Sequence, residues 1–472
     1  MSEISLSSKL NYLRIKQKNI IIFISLIIAL SLGLLFIFNE VLALVLFLFL
    51  VALVIALTKP SLLIIFYFIY LPFTEYFRYL FPSQIDIGGY KFILSGSVKE
   101  LLFLLILSSF IYRKFTFNKE DKKKSILFHV ILIFLCWLFI FIFRNGNPET
   151  GFWGFRTYLY TLGFYFIGYY FIEKKVEILR IIKVFLFSGF VLTIVGILQI
   201  FFDPNFLVTP EEMIDKSREI YGTLRITSLL SNPNALGIFL VIIILSSCVL
   251  FVYSKSNIEK TYLIILPLSA SLVVFYTYSR ESWIALIVGI LILSFFYLNK
   301  RRFVPIVVFI TCFVIITSCL PHSIYEHFFS IGLSGGRSRI IMWKSILDSI
   351  GNNFILGSGT GSIGSFGAYG MNVIIFNNTG YSVTDNAFLK ILVESGIVGL
   401  VLLFIICVLI GKHIILNLKV INDENFREIA VIVLLMFSTL LITSLFSDSL
   451  FSWLISPLFF LMVGYVSKHG QR

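Results

Sequence analysis

Apolar runs of about 15 to 24 residues recur from one end of this chain to the other, each long enough to cross the hydrocarbon core of a bilayer. They stand at 20–38, 41–57, 62–81, 98–112, 126–143, 155–172 and 184–202, and again at 235–252, 262–278, 283–298, 303–320, 387–410, 429–445 and 450–466. Where the short connections around Glu40 and Arg280 are re-entrant turns, the count falls from 14 to 12. A chain of 472 residues that is 58% hydrophobic cannot stay dispersed in water. Inside lipid every backbone N–H and C=O must be paired within its own segment, which favours helices. The sequence therefore predicts an all-α polytopic membrane protein with 12–14 transmembrane helices. Cys136, Cys248, Cys312, Cys319 and Cys407 all fall inside apolar runs and read as small hydrophobes, so no disulfide framework or metal site is implied.

Charge sets the expected orientation. Lys9, Arg14, Lys16 and Lys18 precede the first apolar run, which lacks a small-residue cleavage site and reads as an uncleaved helix starting in the cytoplasm. Counted from there, alternate loops hold 25 of the 38 Lys and Arg on the cytoplasmic side and 13 on the outer side. The net charge of +13 is thus a topology signal, and no nucleic-acid partner is expected. Inside there are 18 Lys and 7 Arg; outside, 5 Lys and 8 Arg. The outer arginines are Arg78, Arg144, Arg156, Arg218, Arg225, Arg280, Arg337 and Arg339. Guanidinium forks grip phosphate oxygens bidentately, so the outer face is expected to hold an anion.

Two outer loops are long, and they divide the chain. The expected parts are 1–202, N-terminal helices; 203–234, a first extracytoplasmic loop; 235–320, central helices; 321–386, a large extracytoplasmic loop with an amphipathic helix; and 387–472, C-terminal helices. The first loop is more acidic than basic, so anion binding there rests on placed arginines such as Arg225. Asn232-Pro233-Asn234 ends it with a turn that can also cap the next helix. Arg280 and Glu281 sit between two spans, either as a snorkelling interfacial pair or with Arg280 turned to an anionic ligand. In the larger loop Arg337 and Arg339 open the stretch 340–350, where Ile340, Trp343, Leu347 and Ile350 fall on one helical face. A helix start flanked by arginines suits phosphate. Gly357, Gly359, Gly361, Gly364, Gly367 and Gly370 lack the Lys-Ser or Lys-Thr of a P-loop and read as a mobile flap or a gate over a cleft. His322 and His327 have no nearby carboxylate or cysteine and read as loop residues.

The segment from Thr384 to Gly399 runs Asp385-Asn386, nine residues, Gly396, two residues, Gly399, at the mouth of an apolar span. It resembles the C-terminal module of the O-antigen ligases and Wzy-type polysaccharide polymerases, which usually carry His where Asp385 stands. Arg225, Thr227 and the Asn-Pro-Asn turn, then Ser279, Arg280 and Trp283, are similar to further stretches of that family, so the likeness covers roughly 225–399. It implies a GT-C-type architecture with a large extracytoplasmic loop, and sugar transfer from an undecaprenyl-pyrophosphate-linked oligosaccharide at the outer face of a bacterial cytoplasmic membrane. Such transfer needs a base near the acceptor hydroxyl and cations beside the departing pyrophosphate. Asp385 is the expected base and Arg337 and Arg339 the expected stabilisers, while Arg225, Arg280, Asn234, Asn386 and Trp343 are expected to bind substrate. Asp385 with Asn386 can equally be the cap of the helix that follows, and the two roles are compatible. No cofactor and no metal is expected, because the lipid-linked donor carries its own leaving group. Expected partners are the lipid-linked glycan, membrane lipid and a chain-length regulator protein. The departure at Asp385 favours a polymerase of O-antigen, capsule or exopolysaccharide repeats; a ligase acting on lipid A core or protein, and a lipid-linked oligosaccharide flippase, are the alternatives.

The orientation is open to direct test by labelling single cysteines in a cysteine-free background. A cysteine at Ser334 should react with an impermeant reagent on intact cells; reaction only after permeabilisation would reverse the topology.

Overall fold

The computed structural model describes residues 51–56, 58–80, 84–87, 90–117, 125–209, 213, 218–220, 223–297, 335–363, 384–420 and 424–469. The expected spans at 20–38 and 303–320, and most of that at 41–57, lie outside the described residues, as do His322, His327, Gly364, Gly367 and Gly370. In chain order the helices are α1 (Pro60–Tyr70), α2 (Thr74–Leu80), α3 (Leu94–Phe117), α4 (Ile126–Ile140), α5 (Pro148–Phe171), α6 (Lys175–Phe201) and α7 (Pro233–Tyr253). They continue with α8 (Asn257–Tyr276), α9 (Arg280–Tyr297), α10 (Gly335–Ile350), α11 (Ala387–Val420), α12 (Glu424–Thr443) and α13 (Ser456–His469). Two short antiparallel hairpins, β1 (Gln84–Ile87) with β2 (Tyr90–Ile93) and β3 (Glu219–Ile220) with β4 (Thr223–Leu224), lie in connections. Among the described residues eight helical stretches are long and apolar enough to cross a bilayer. The chain is a nearly all-helical, multi-pass membrane protein.

Local chemistry places the helix starts. Asn147 and Asn232 each accept from two backbone N–H groups ahead of a proline, opening α5 and α7, and Ser125 caps α4. The expected span at 450–466 is shorter than anticipated: α13 has 14 residues and follows a 3₁₀ turn at Ser449–Phe451. It is buried almost throughout and packs along α5. Their backbones approach closely because both carry glycine at the crossing. A Cβ on Gly168 would stand 1.9 Å from the Leu461 carbonyl oxygen, and one on Gly464 2.1 Å from that of Tyr165. Small residues at such crossings are what hold helices together where lipid competes for every apolar contact.

The second constraint is a break inside α11. Gly396 has φ 69° and ψ −171°, outside the helical region, so its 34 residues form two half-helices. The backbone groups released there are taken up by the segment after α10 and by α4. Ser358 N–H donates to the Val393 carbonyl (2.7 Å), Gly359 N–H to that of Glu394 (3.0 Å) and Trp137 Nε1 to that of Ser395 (3.2 Å). In return Ile397 N–H donates to the Phe354 carbonyl (3.0 Å). Gly357, with φ 78°, presses on the break so closely that a Cβ would meet the Gly396 nitrogen at 2.5 Å. The described part of the glycine-rich stretch, through Gly361, is therefore a packed plug, and the reading as a mobile flap does not hold for it.

The amphipathic helix carries two apolar faces. α10 turns Met342, Ile346 and Ile350 onto Leu389, Leu392 and Val393 of α11, with Trp343 half-buried beside them. Ile340 and Leu347, expected on the face turned to the membrane interface, are 64% and 46% exposed. Packing against α11 set the register, and the remaining apolar side chains give α10 a second apolar face pointing outward.

Gly396→Ala should destabilise the protein by at least about 1–2 kcal/mol from the left-handed backbone alone, and more because its Cβ would stand 2.1 Å from the Ile355 carbonyl oxygen. Gly411→Ala, whose new Cβ meets nothing nearer than Phe437 at 3.8 Å, should be harmless. Thermal unfolding of the purified protein in detergent compares the two; equal melting temperatures would contradict the break.

Candidate functional site

One end of the helix bundle gathers the polar side chains. Before α7 the chain docks on the end of α8, where Ile226 N–H donates to the Tyr276 carbonyl (3.0 Å), while Arg225 N–H donates to the Arg218 carbonyl (2.7 Å) across the base of the β3–β4 hairpin. The Arg225 side chain, 8% exposed, donates from Nε to the Thr277 carbonyl (2.8 Å) and from Nη2 to Asn234 Oδ1. Asn232 caps α7, leaving Asn234 to orient the arginine. The α8–α9 turn is tight, with Tyr278 at φ 52° and the Ser279 and Ser282 hydroxyls 2.8 Å apart. Arg280 then opens α9, and Glu281 turns inward, 6% exposed. Glu281 does not snorkel: its carboxylate lies in electrostatic range of Arg225, Arg339 and Asp385.

The other wall comes from α10 and α11. Trp343 Nε1 donates to the Thr384 carbonyl (2.8 Å), tying α10 to the strand of chain entering α11. One residue on, Asp385 faces Arg339, Oδ2 to Nε 3.7 Å. Asp385 has φ 44°, a left-handed conformation that Asp tolerates better than most residues but that still costs energy. Burial pushes its carboxyl above the usual aspartate range, and the Arg339 guanidinium pulls it partway back. The cap is Asn386: its Oδ1 accepts from Phe388 N–H (3.0 Å) and Leu389 N–H (2.9 Å), and its Nδ2 donates to the Leu445 carbonyl (3.2 Å). Asp385 is left out of capping. Arg337 lies in the first turn of α10, but its side chain is outside the described residues.

Beneath this pair lies a buried ionic cluster. Lys390, 1% exposed, pairs through Nζ with Asp448 Oδ2 and stands 5.5 Å from the centre of the Tyr158 ring. The Tyr158 hydroxyl donates to Glu394 Oε2 (2.6 Å), and Glu394 is fully buried one turn beyond Lys390. Asn386, Lys390 and Glu394 follow one another at i, i+4 and i+8, so one face of the first half of α11 carries all three.

Of the residues expected from sequence, Arg225 with Asn234, Arg339 with Asp385, Trp343 and Asn386 meet around this end, and Arg280 stands at its edge. Glu281, Lys390, Glu394, Tyr158 and Asp448 were not anticipated. The signal for Lys390 and Glu394 was present: two charges at helical spacing in an otherwise apolar span are rarely tolerated without purpose.

Fold and site together define a multi-pass membrane protein with an arginine and carboxylate cluster at one end of its bundle. Within the chain, residues 263–404 match the Wzy_C family, described as O-antigen ligase, which places this stretch in the ligase and polymerase superfamily. The match includes Arg280, Glu281, Arg339, Asp385 and both halves of the α11 break; Arg225 and Asp448 lie beyond it. It implies a glycosyl-transferring enzyme of the ligase or polymerase kind. No curated protein matches the chain.

Lys390→Met should cost about 3–5 kcal/mol, the usual penalty for leaving buried carboxylates without their cation. Adding Glu394→Gln and Asp448→Asn should restore much of the loss. Melting temperatures of the single and triple variants decide it: if both match the wild type, the cluster does not brace α11.

Proposed function

We propose that this protein is a polymerase that joins undecaprenyl-pyrophosphate-linked oligosaccharide repeats into O-antigen, capsule or exopolysaccharide at the outer face of the bacterial cytoplasmic membrane. The observation that carries the reading is Asp385, freed from capping by Asn386, held in a left-handed conformation and facing Arg339. A carboxylate so placed can take the proton of an acceptor hydroxyl. The hydroxyl oxygen then bonds to the donor's anomeric carbon as the bond from that carbon to the pyrophosphate oxygen breaks. Arg339, with Arg337 from the first turn of the same helix and Arg280 from the start of α9, offsets the charge that grows on the leaving group. Arg225, held in place by Thr277 and Asn234, adds positive field from behind. No metal or nucleotide is invoked, since the leaving group is already on the donor. The division into parts at 202, 234, 320 and 386, the outward orientation of the site and a chain-length regulator as partner belong to the same proposal.

A ligase remains the second reading, because the matching family is described by that activity. Asp385 in place of the His usual in the ligases is what favours a polymerase. A flippase reading draws support from Lys390 and Glu394, charges buried within α11; the match to a glycosyl-transferring family speaks for the enzyme.

Asp385→Asn should lower chain extension about 100-fold or more, leaving single repeats on the carrier, while the helix start survives through Asn386. Arg339→Lys should shorten the polymer sharply, because an ammonium cannot reproduce bidentate contacts to phosphate. The ladder of polymer lengths from cells containing normal amounts of each variant reads both; wild-type ladders would remove Asp385 and Arg339 from the chemistry. Asp385→His should keep partial polymerase activity and gain no ligase activity. Since ionised Asp385 is the active form, activity of the purified protein should fall as pH drops through a titration above the usual aspartate range.

A further inference from the structure

Glu281 is a carboxylate of this end that the proposed reaction does not use. It is 6% exposed, and among the described residues neither carboxylate oxygen accepts a hydrogen bond. The hydroxyl of Ser447 stands beside it, but that hydroxyl donates its single proton to the Thr443 carbonyl (2.9 Å). The cations in range are engaged elsewhere: Arg225 on Thr277 and Asn234, Arg339 on Asp385. The start of α9 lends partial positive charge, which offsets the carboxylate's charge but fills neither acceptor position. A buried carboxylate with vacant acceptors is costly, and a ligand that brings hydrogen-bond donors relieves it. Phosphate cannot, being itself anionic and an acceptor.

We propose that Glu281 is the sugar-recognising carboxylate of this site, accepting hydrogen bonds from hydroxyls of the donor glycan beside the pyrophosphate. The arginines and Glu281 thereby divide the labour: guanidinium groups take the anionic part of the lipid-linked donor, and the carboxylate takes the neutral, donor-rich part. Its neighbour Asp385 places those hydroxyls next to the group that deprotonates the acceptor. The inference rests on the reading of the protein as a transferase acting on lipid-pyrophosphate-linked sugar, and it makes Glu281 a positioning and specificity residue.

Binding to the full-length protein in nanodiscs tests it with two probes: the undecaprenyl-pyrophosphate-linked repeat isolated from the same cells, and undecaprenyl pyrophosphate without sugar. Wild type should bind the sugar-bearing lipid more tightly than the bare one. Glu281→Gln keeps the shape but loses the charge and one of the two acceptor oxygens, and should bind the sugar-bearing lipid at least about tenfold more weakly, with unchanged affinity for bare undecaprenyl pyrophosphate. Without ligand, Glu281→Gln and Glu281→Leu should melt no lower than wild type, because removing an unsatisfied buried carboxylate relieves the empty site; a merely structural Glu281 would lower both. Equal weakening for both lipids, or for neither, overturns the inference and leaves the transferase reading standing. Failure of wild type to bind either lipid overturns both.

Discussion

The break at Gly396 is the constraint on which the site depends. A straight 34-residue helix would run about 51 Å, well beyond the roughly 30 Å of a bilayer core, and would carry Asp385 away from the bundle. The break turns the first half of α11 into a separate short helix, and the plug from Phe354 to Thr360 fixes its angle by supplying the partners that the helix gives up. Thr360 is itself anchored on α4, donating to the carbonyls of Leu138 and Phe141, and Arg144 donates to the Gly357 carbonyl. The plug leads directly back into α10. One device therefore sets the half-helix that presents Asp385 and the helix that brings Arg339 and Trp343 to it.

On the Asp385 side of the break the interior is ionic where lipid would demand it be apolar. Lys390, Glu394 and Asp448 sit close enough to compensate one another, and Tyr158 supplies a proton to Glu394. Such networks are costly when half satisfied and specifying when complete. Here one oxygen each of Glu394 and Asp448 is left without a partner among the described residues, and both oxygens of Glu281. Of these, Glu281 stands among the arginines, the pattern of a site that keeps polar capacity for something other than its own stability.

Much of this was legible in the sequence, and the failures have physical causes. The helical character followed from run length, and the capping asparagines from their position before proline or an apolar run. Arg339 and Asp385 were expected in one site from the family resemblance and the chemistry it implies, since no spacing rule links residues so far apart. Capping could not be divided between Asp385 and Asn386, because both residue types serve; the positive φ of Asp385 decided it. Which stripe of α10 packs against the protein was not legible, because periodicity offered two apolar stripes and only contact with α11 chooses between them. Glycines from 357 to 361 read as flexible because glycine permits a turn and a close approach equally well; here it serves both. Glu281 was passed over because a charge at a helix end ordinarily reaches water, and burial is a property of its neighbours.

The most direct measurement is reconstitution: purified protein in nanodiscs, given only the undecaprenyl-pyrophosphate-linked repeat isolated from the same cells, with lipid products and released carrier counted together. A polymerase of the proposed kind should yield lipid-linked chains of two and more repeats, and one molecule of undecaprenyl pyrophosphate for every linkage formed, without nucleotide sugar or ATP. Intact donor after long incubation with folded protein, or elongation that consumes nucleotide sugar and releases no undecaprenyl pyrophosphate, would contradict it.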